Sequence, residues 1–287
     1  MLPRRPEWTR SLTSPVDICH NGEMAEIGDV VSPTWLARAA ELRSEFEAGT
    51  PFPLLVLDDF LTPRQAEAML TEFPALDQMP SSRDYVFAEK RELSSIEAAG
   101  PACRRFYDAM VSELFAEFLS AATGRTVFVD PAFHGGGFHQ SGDGSFLDMH
   151  VDFNIHPLHA DWKRSLNILI YLCPEWDPGY GGELLVKARV EDEPRAIPMG
   201  FNRAVIMHTG DATFHGFRRM SLPSGVTRRS VATYAYEHLG AGERPAAHST
   251  RWVPEEAGLG KRLLARHYET LVRLKQRVAG SGTARNR

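Results

Sequence analysis

The chain has 287 residues, 43% of them hydrophobic and 24% charged, a balance that excludes bulk disorder and fits one large domain or two small ones. Lys and Arg number 32 against 37 Asp and Glu, net −5, with no strongly basic stretch to argue for nucleic acid as a partner. No apolar run approaches a membrane span and the N-terminus lacks an apolar signal region, while Cys19, Cys103 and Cys173 are too widely spaced for a disulfide framework and favour a reducing cytoplasm.

Residues 1–50 read as an N-terminal extension. It holds one helix from Pro33 to Phe46, with Trp35, Leu36, Ala39, Leu42 and Phe46 near helical spacing and Ser32 as the cap before Pro33. Leu54 to Phe60 is a strand candidate. Thr62-Pro63 then starts a helix to about Phe73, with Thr62 as cap and Gln65 at the capping-box position. Pro101 to Ala121 reads as one longer helix whose Phe106, Met110, Leu114 and Phe118 recur on one face, and Gly124 ends it.

Past residue 126 the period changes. Segments 126–129, 147–153, 166–172, 183–188, 203–208 and 230–236 are short, rich in β-formers and separated by turn residues. This run, with no helical pattern inside it, predicts a sandwich, jelly roll or barrel rather than a parallel α/β sheet. Residues 251–275 return to helix and the polar end beyond them reads as frayed. The expected organisation is an extension (1–50), a domain (51–240) of supporting helices (51–125) and β core (126–240), and a C-terminal helical tail (241–287).

His150 and Asp152 stand two apart in LDMHVDF, so on a strand both point to one face. His215 follows in ATFHGF. Two imidazoles and one carboxylate on one side of a metal leave the other side open, the arrangement of non-haem Fe(II) oxygenases. Further on, Arg228 and Ser230 again share a strand face. A guanidinium pointing into a β core is costly without an anion, and a fork of two N–H donors with a neighbouring hydroxyl suits the carboxylate of a 2-oxo diacid. A slip of one residue would exchange Arg228 with Arg229; Arg228 is favoured because it shares a face with Ser230 and Tyr234.

His150-x-Asp152, His215 and Arg228-x-Ser230 together resemble the 2-oxoglutarate/Fe(II)-dependent oxygenase superfamily. RSLNILIYLCPEW (164–176), GGEL (181–184) and NRAVIMHTGDATFHG (202–216), in that order, are similar to its prolyl-4-hydroxylase-like branch, as is PFPLLVLDDFLTPRQAEAML (51–70). The resemblance covers about residues 51–238. It implies a mainly β, flanking-helix (α+β) fold with a double-stranded β-helix core, a cupin-like jelly roll. It implies His150, Asp152 and His215 as catalytic metal ligands, Arg228 and Ser230 on the distal carboxylate of 2-oxoglutarate, and Tyr171 beside them. Asn167, on the face of Leu169 and Tyr171, and Gln140, ahead of His150, are further lining candidates. Cys173 departs from the Asn that commonly follows Tyr-Leu in the family.

The implied activity is an Fe(II)- and 2-oxoglutarate-dependent dioxygenase. It would use O2 to hydroxylate an unactivated C–H bond of a small molecule or an amino-acid or prolyl residue, with 2-oxoglutarate decarboxylated to succinate and ascorbate as candidate reductant. Asp152, where halogenase variants carry a small residue, favours hydroxylation. The alternative is a non-catalytic jelly-roll module that binds a ligand or senses a metabolite. Expected partners are the small-molecule or peptidyl substrate and a second copy of the chain, with neither nucleic acid nor membrane.

Secondary candidates are weaker. His156 and His159 read as loop residues at the mouth, and the glycines after His134 as a lip or a place of close backbone approach. Arg83, Asp84 and Tyr85 resemble a lid region. Arg218, Arg219 and Lys163 are placed near the mouth, where one would meet a substrate anion.

Overall fold

The computed structural model describes residues 23–80, 86–243, 245–254, 258, 260–268 and 270. Cys19, the lid candidates Arg83, Asp84 and Tyr85, and the chain end read as frayed lie outside the described residues. Among the described residues no helix is long and apolar enough to cross a membrane.

Among the described residues, six α-helices precede the β core: α1 (Glu23–Val30), α2 (Pro33–Ala37), α3 (Ala39–Glu47), α4 (Pro63–Glu72), α5 (Pro101–Met110) and α6 (Glu113–Thr123). Two strands lie among them, β1 (Leu54–Leu57) and β2 (Arg91–Leu93). Then follow β3 (Phe128–Val129), β4 (Gly137–Ser141), β5 (Leu147–Val151), β6 (Trp162–Leu172) and β7 (Leu184–Lys187). The last are β8 (Arg195–Ile197), β9 (Phe201–His208), β10 (Phe214–Phe217), β11 (Arg228–His238) and β12 (Arg251–Val253). Residues 260–268 are helical.

The strands form two antiparallel sheets. A seven-stranded sheet runs β1-β9-β6-β11-β4-β2, with β3 also on β11, and a five-stranded sheet runs β12-β5-β10-β7-β8. Strand β6 shows how the sequence builds two faces from a period of two. Leu166, Ile168, Ile170 and Leu172 enter a core shared with Phe46, Phe60, Phe106, Phe115 and Leu119 from the helical layer. The alternate residues Tyr171 and Cys173 pack with Leu184, Val186 and Ile197 of the other sheet, and Leu169 packs against that cluster. The strand pattern leaves sandwich, jelly roll and barrel open; the mainly β architecture with flanking helices is the jelly-roll form that the family resemblance implies.

Two predicted helices are each divided. Arg38 separates α2 from α3. The expected 101–121 helix breaks at Val111–Ser112, because the Ser112 hydroxyl accepts the backbone N–H of Phe115 and so caps a new helix. Gly124 closes α6 in the left-handed region at φ 70°. The Thr62 side chain accepts the Gln65 N–H, but the Gln65 amide does not complete a capping box; it donates to the Ala102 carbonyl instead.

Helix α5 is capped from outside. Gly100 offers no capping side chain, and the carboxylate of Glu72, the last residue of α4, accepts the N–H groups of Ala102 and Cys103 at 3.0 and 2.8 Å. A Cβ on Gly100 would lie 2.4 Å from the Glu72 side chain, so glycine there admits the cap. Burial pushes the Glu72 carboxyl up, but these backbone donors outweigh it and hold the group below its ordinary range.

Candidate functional site

The two sheets present polar side chains to the space between them. His150 lies on β5, Asp152 just past its end, and His215 on β10 directly opposite His150 in the antiparallel register. Each of the three is 6% exposed. One donor atom from each lies within 4.8 Å of the other two. Asp152 Oδ1 is 3.5 Å from His150 Nε2 and Oδ2 is 3.7 Å from His215 Nε2.

Both imidazoles are held in one tautomer. His150 Nδ1 sits 3.0 Å from the Asp148 carbonyl and His215 Nδ1 3.3 Å from that of Thr213. Only an N–H can meet a carbonyl oxygen, so each Nδ1 carries the proton and each Nε2 keeps the lone pair that could bind a metal. Burial, then the nearby His150, pushes His215 down to about 4, against the pull of Asp152. Burial would raise the Asp152 carboxyl, but Arg164, His215 and His150 hold it well below the carboxylate range. Two imidazole nitrogens and one carboxylate form a donor set suited to a divalent transition metal with open positions, so these residues fit iron.

Strand β11 turns Arg228 and Ser230 inward and Arg229 outward, where Arg229 lies over the Phe73 ring. Arg228 Nε donates to the Gly182 carbonyl at 2.9 Å and Nη2 to the Tyr171 hydroxyl at 3.3 Å, while Phe217 lies 4.2 Å beneath its guanidinium carbon. Ser230 stands opposite Tyr171 on β6 and opposite His139 on β4. Cys173 takes both main-chain groups of Arg229, each at 3.2 Å, and thereby ties the end of β6 to the start of β11. Asn167 Nδ2 donates to Asp152 Oδ2 at 3.1 Å and lies 3.5 Å from His215 Nε2.

Gln140 is not brought to this group. It pairs in register with the outward Arg229, and its amide donates to Thr227 Oγ1 at 3.0 Å in an outer groove with Leu70 and Phe73. The alternation of β4 puts its neighbour His139 on the inner face instead. Burial, and next the charge of Lys90, pushes His139 down to about 3. Its Nε2 has no hydrogen-bond partner, the Glu92 carboxylate being 4.0 Å away.

Arg164 was not singled out by pattern, although it opens the RSLNILIYL stretch. It is 1% exposed, its Nη1 lies 3.2 Å from Asp152 Oδ2, and its Nη2 donates to the Tyr236 hydroxyl at 3.3 Å. Phe153 and Tyr234 sandwich the guanidinium carbon at 3.6 and 3.5 Å.

The remaining candidates divide. Buried His156 faces Asp130 at 3.4 Å, and His159 stacks on Trp162 at 3.8 Å between ring centroids. Gly137 is no lip: it begins β4 at φ 110°, where a Cβ would run into the backbone of Leu93 and Ser94. Arg218 and Arg219 line a cavity of about 100 Å³ with Met149, Phe217 and Lys261, next to the strands of His150 and His215. Lys163 lies at the other end of β6 from Tyr171, opposite Glu237.

Residues 136–236 match the family described as the 2OG-Fe(II) oxygenase superfamily. No curated protein sequence matches the chain. Among solved structures, the fold is similar to a Trichoplax adhaerens prolyl hydroxylase in complex with a hypoxia inducible factor peptide fragment. That similarity is at 15% identity over 73% of this chain and 95% of that one, with a TM-score of 0.52. It is also similar to a Pseudomonas putida prolyl-4-hydroxylase, at 14% identity over 70% of this chain and 100% of that one, with a TM-score of 0.51.

Proposed function

We propose, from the match of residues 136–236 to the 2OG-Fe(II) oxygenase superfamily, that this chain is an Fe(II)- and 2-oxoglutarate-dependent dioxygenase. It hydroxylates an unactivated C–H bond of a small molecule or of an amino-acid or prolyl residue, with 2-oxoglutarate decarboxylated to succinate. The observation that carries this reading is the buried trio of His150, Asp152 and His215, whose imidazole Nε2 atoms keep their lone pairs because each Nδ1–H is engaged by a carbonyl. A module that only binds ligand would need no such tautomeric control. The catalytic domain assigned to 51–240 is flanked by segments 1–50 and 241–287, and the buried free thiols of Cys103 and Cys173 suit the cytoplasm.

In this reading His150 Nε2, Asp152 and His215 Nε2 hold the metal. Bound Fe(II) and 2-oxoglutarate with O2 supply the oxidising chemistry. The chain's own residues bind and orient. The remaining N–H donors of Arg228 take the distal carboxylate of 2-oxoglutarate, with the Tyr171 and Ser230 hydroxyls beside it. Tyr171 also holds the guanidinium in place through its hydroxyl. Leu169, Val186 and Phe217 line the walls and keep water out.

The peptide bound by the Trichoplax adhaerens relative makes a prolyl residue one substrate class to test beside free amino acids. A succinate-release screen over pooled prolyl peptides, amino acids and other small metabolites tests the reading. Substrate-coupled succinate from the wild type and none from Asp152→Ala is the expected result. Release that survives Asp152→Ala contradicts it.

A further inference from the structure

We propose that Arg164 is a positioning residue that restricts Asp152 to one metal-facing oxygen. The inference rests on the reading of His150, Asp152 and His215 as the metal ligands. The two oxygens of Asp152 are not equivalent. Oδ2 accepts from Asn167 Nδ2 at 3.1 Å and is ion-paired with Arg164 Nη1 at 3.2 Å. Oδ1 faces His150 Nε2 at 3.5 Å and accepts from neither. An oxygen that is both hydrogen-bonded and paired with a fixed cation is the poorer metal donor of the two. Asp152 would therefore offer a bound metal Oδ1 in preference to Oδ2, which would leave room for co-substrate.

Arg164 is built for this task. Phe153 and Tyr234 sandwich its guanidinium carbon at 3.6 and 3.5 Å, and Tyr236 holds its Nη2. The plane cannot rotate without leaving both rings. At 1% exposure its charge has no water to fall back on, so the guanidinium and the carboxylate each depend on the other. A lysine could supply the charge but not the flat, two-sided fit. Removing the guanidinium leaves Asn167 as the one neutral donor to Oδ2 and lets the carboxylate swing to chelate.

The test uses the full chain loaded with Co(II), whose visible absorption reports coordination number, and titrates 2-oxoglutarate calorimetrically. Arg164→Met, Arg164→Lys and Asn167→Ala are compared with wild type. The expected result is Co(II) affinity retained within about threefold in all variants, a shifted Co(II) spectrum, and a 2-oxoglutarate Kd raised about tenfold in Arg164→Met, the scale of one charge-assisted hydrogen bond. Arg164→Lys is expected to be impaired as well, and Asn167→Ala in the same direction by less. Wild-type spectra and Kd values in Arg164→Met and Arg164→Lys overturn the proposal. So does an Arg164→Lys protein that matches wild type while Arg164→Met does not, since charge alone would then suffice. If Arg164→Met does not fold, Arg164→Lys and Asn167→Ala decide by the same criteria. A wild-type protein that takes up no Co(II), or a His150→Ala variant that binds it equally well, overturns the ligand assignment itself and this inference with it.

Discussion

His150 and His215 are direct partners across the β5–β10 ladder, and their ring centroids lie 4.2 Å apart. Without a metal, burial and the neighbouring His150 disfavour protonation of His215. With one, both lone pairs gain a partner. Binding to the folded state alone stabilises by about 2.7 kcal/mol when free metal is at 100 times its Kd. Fe(II), or Co(II) as an air-stable substitute, is therefore expected to raise the Tm of the wild type and to leave that of His150→Ala or His215→Ala unchanged. Calorimetry with and without chelator measures it. An equal shift in the variants would place the metal elsewhere.

Arg228 is buried and held by Gly182 and Tyr171. Arg228→Gln is expected to raise the apparent KM for 2-oxoglutarate about tenfold or more, because a charge-assisted hydrogen bond contributes about 1.5–3 kcal/mol. Metal uptake should stay within about twofold of wild type. The same substitution at outward-facing Arg229 should leave co-substrate dependence unaltered. Steady-state kinetics on both variants decide whether β11 presents Arg228 to the co-substrate.

His139 and Gln140 occupy opposite faces of β4, so paired substitutions separate them. The partnerless Nε2 of His139 is a buried polar atom whose desolvation costs stability. His139→Leu is expected to lose less than about 1 kcal/mol in unfolding free energy, or to gain, while weakening co-substrate or substrate binding several-fold. Gln140→Leu should leave binding within twofold. Equal binding effects from the two would mean that the β4 alternation does not set the inner wall.

Glu72, at the end of α4, gives a pH-dependent stability signal. Its folded-state pKa lies below its ordinary value because the Ala102 and Cys103 N–H groups stabilise the anion against the opposing effect of burial. The stability it contributes is therefore present above the unfolded pKa of about 4.3 and is lost as pH falls through the depressed folded value. Glu72→Gln should cost about 1 kcal/mol near neutrality, the scale of a helix cap. The gap from wild type should close as the pH drops below about 4. Denaturant unfolding across that range measures it, and a pH-independent gap would mean that the carboxylate charge is not what caps α5.

The alternation that a half-buried strand imposes made much of this arrangement readable. Leu166, Ile168, Ile170 and Leu172 mark one face of β6, and Asn167, Leu169 and Tyr171 the other, because each face meets a different neighbour. The same period brings Arg228 and Ser230 inward. Pattern failed where the deciding partner is distant in sequence. Ser112 could be read as helix interior or as a cap, and the helix continued on paper because apolar spacing persists through it. Nothing local to Gly100 reveals that Glu72 caps the helix after it. No strand pattern marks residues 137–141, so nothing in the sequence sets which face Gln140 takes; the β4–β11 register turns His139 inward instead. Arg164 lies near the start of β6, where an arginine often faces solvent. Only the folded chain shows Phe153, Tyr234 and Asp152 closing around it.

The most direct measurement of the central claim is anaerobic addition of Fe(II) and then 2-oxoglutarate to the wild type, His150→Ala and Arg228→Gln, followed by visible absorption. A weak metal-to-ligand charge-transfer band should develop in the wild type. It should be absent in His150→Ala and should need more 2-oxoglutarate in Arg228→Gln. A wild-type protein that develops no such band, or one whose band persists in His150→Ala, would contradict the assignment of His150, Asp152 and His215 as the metal site.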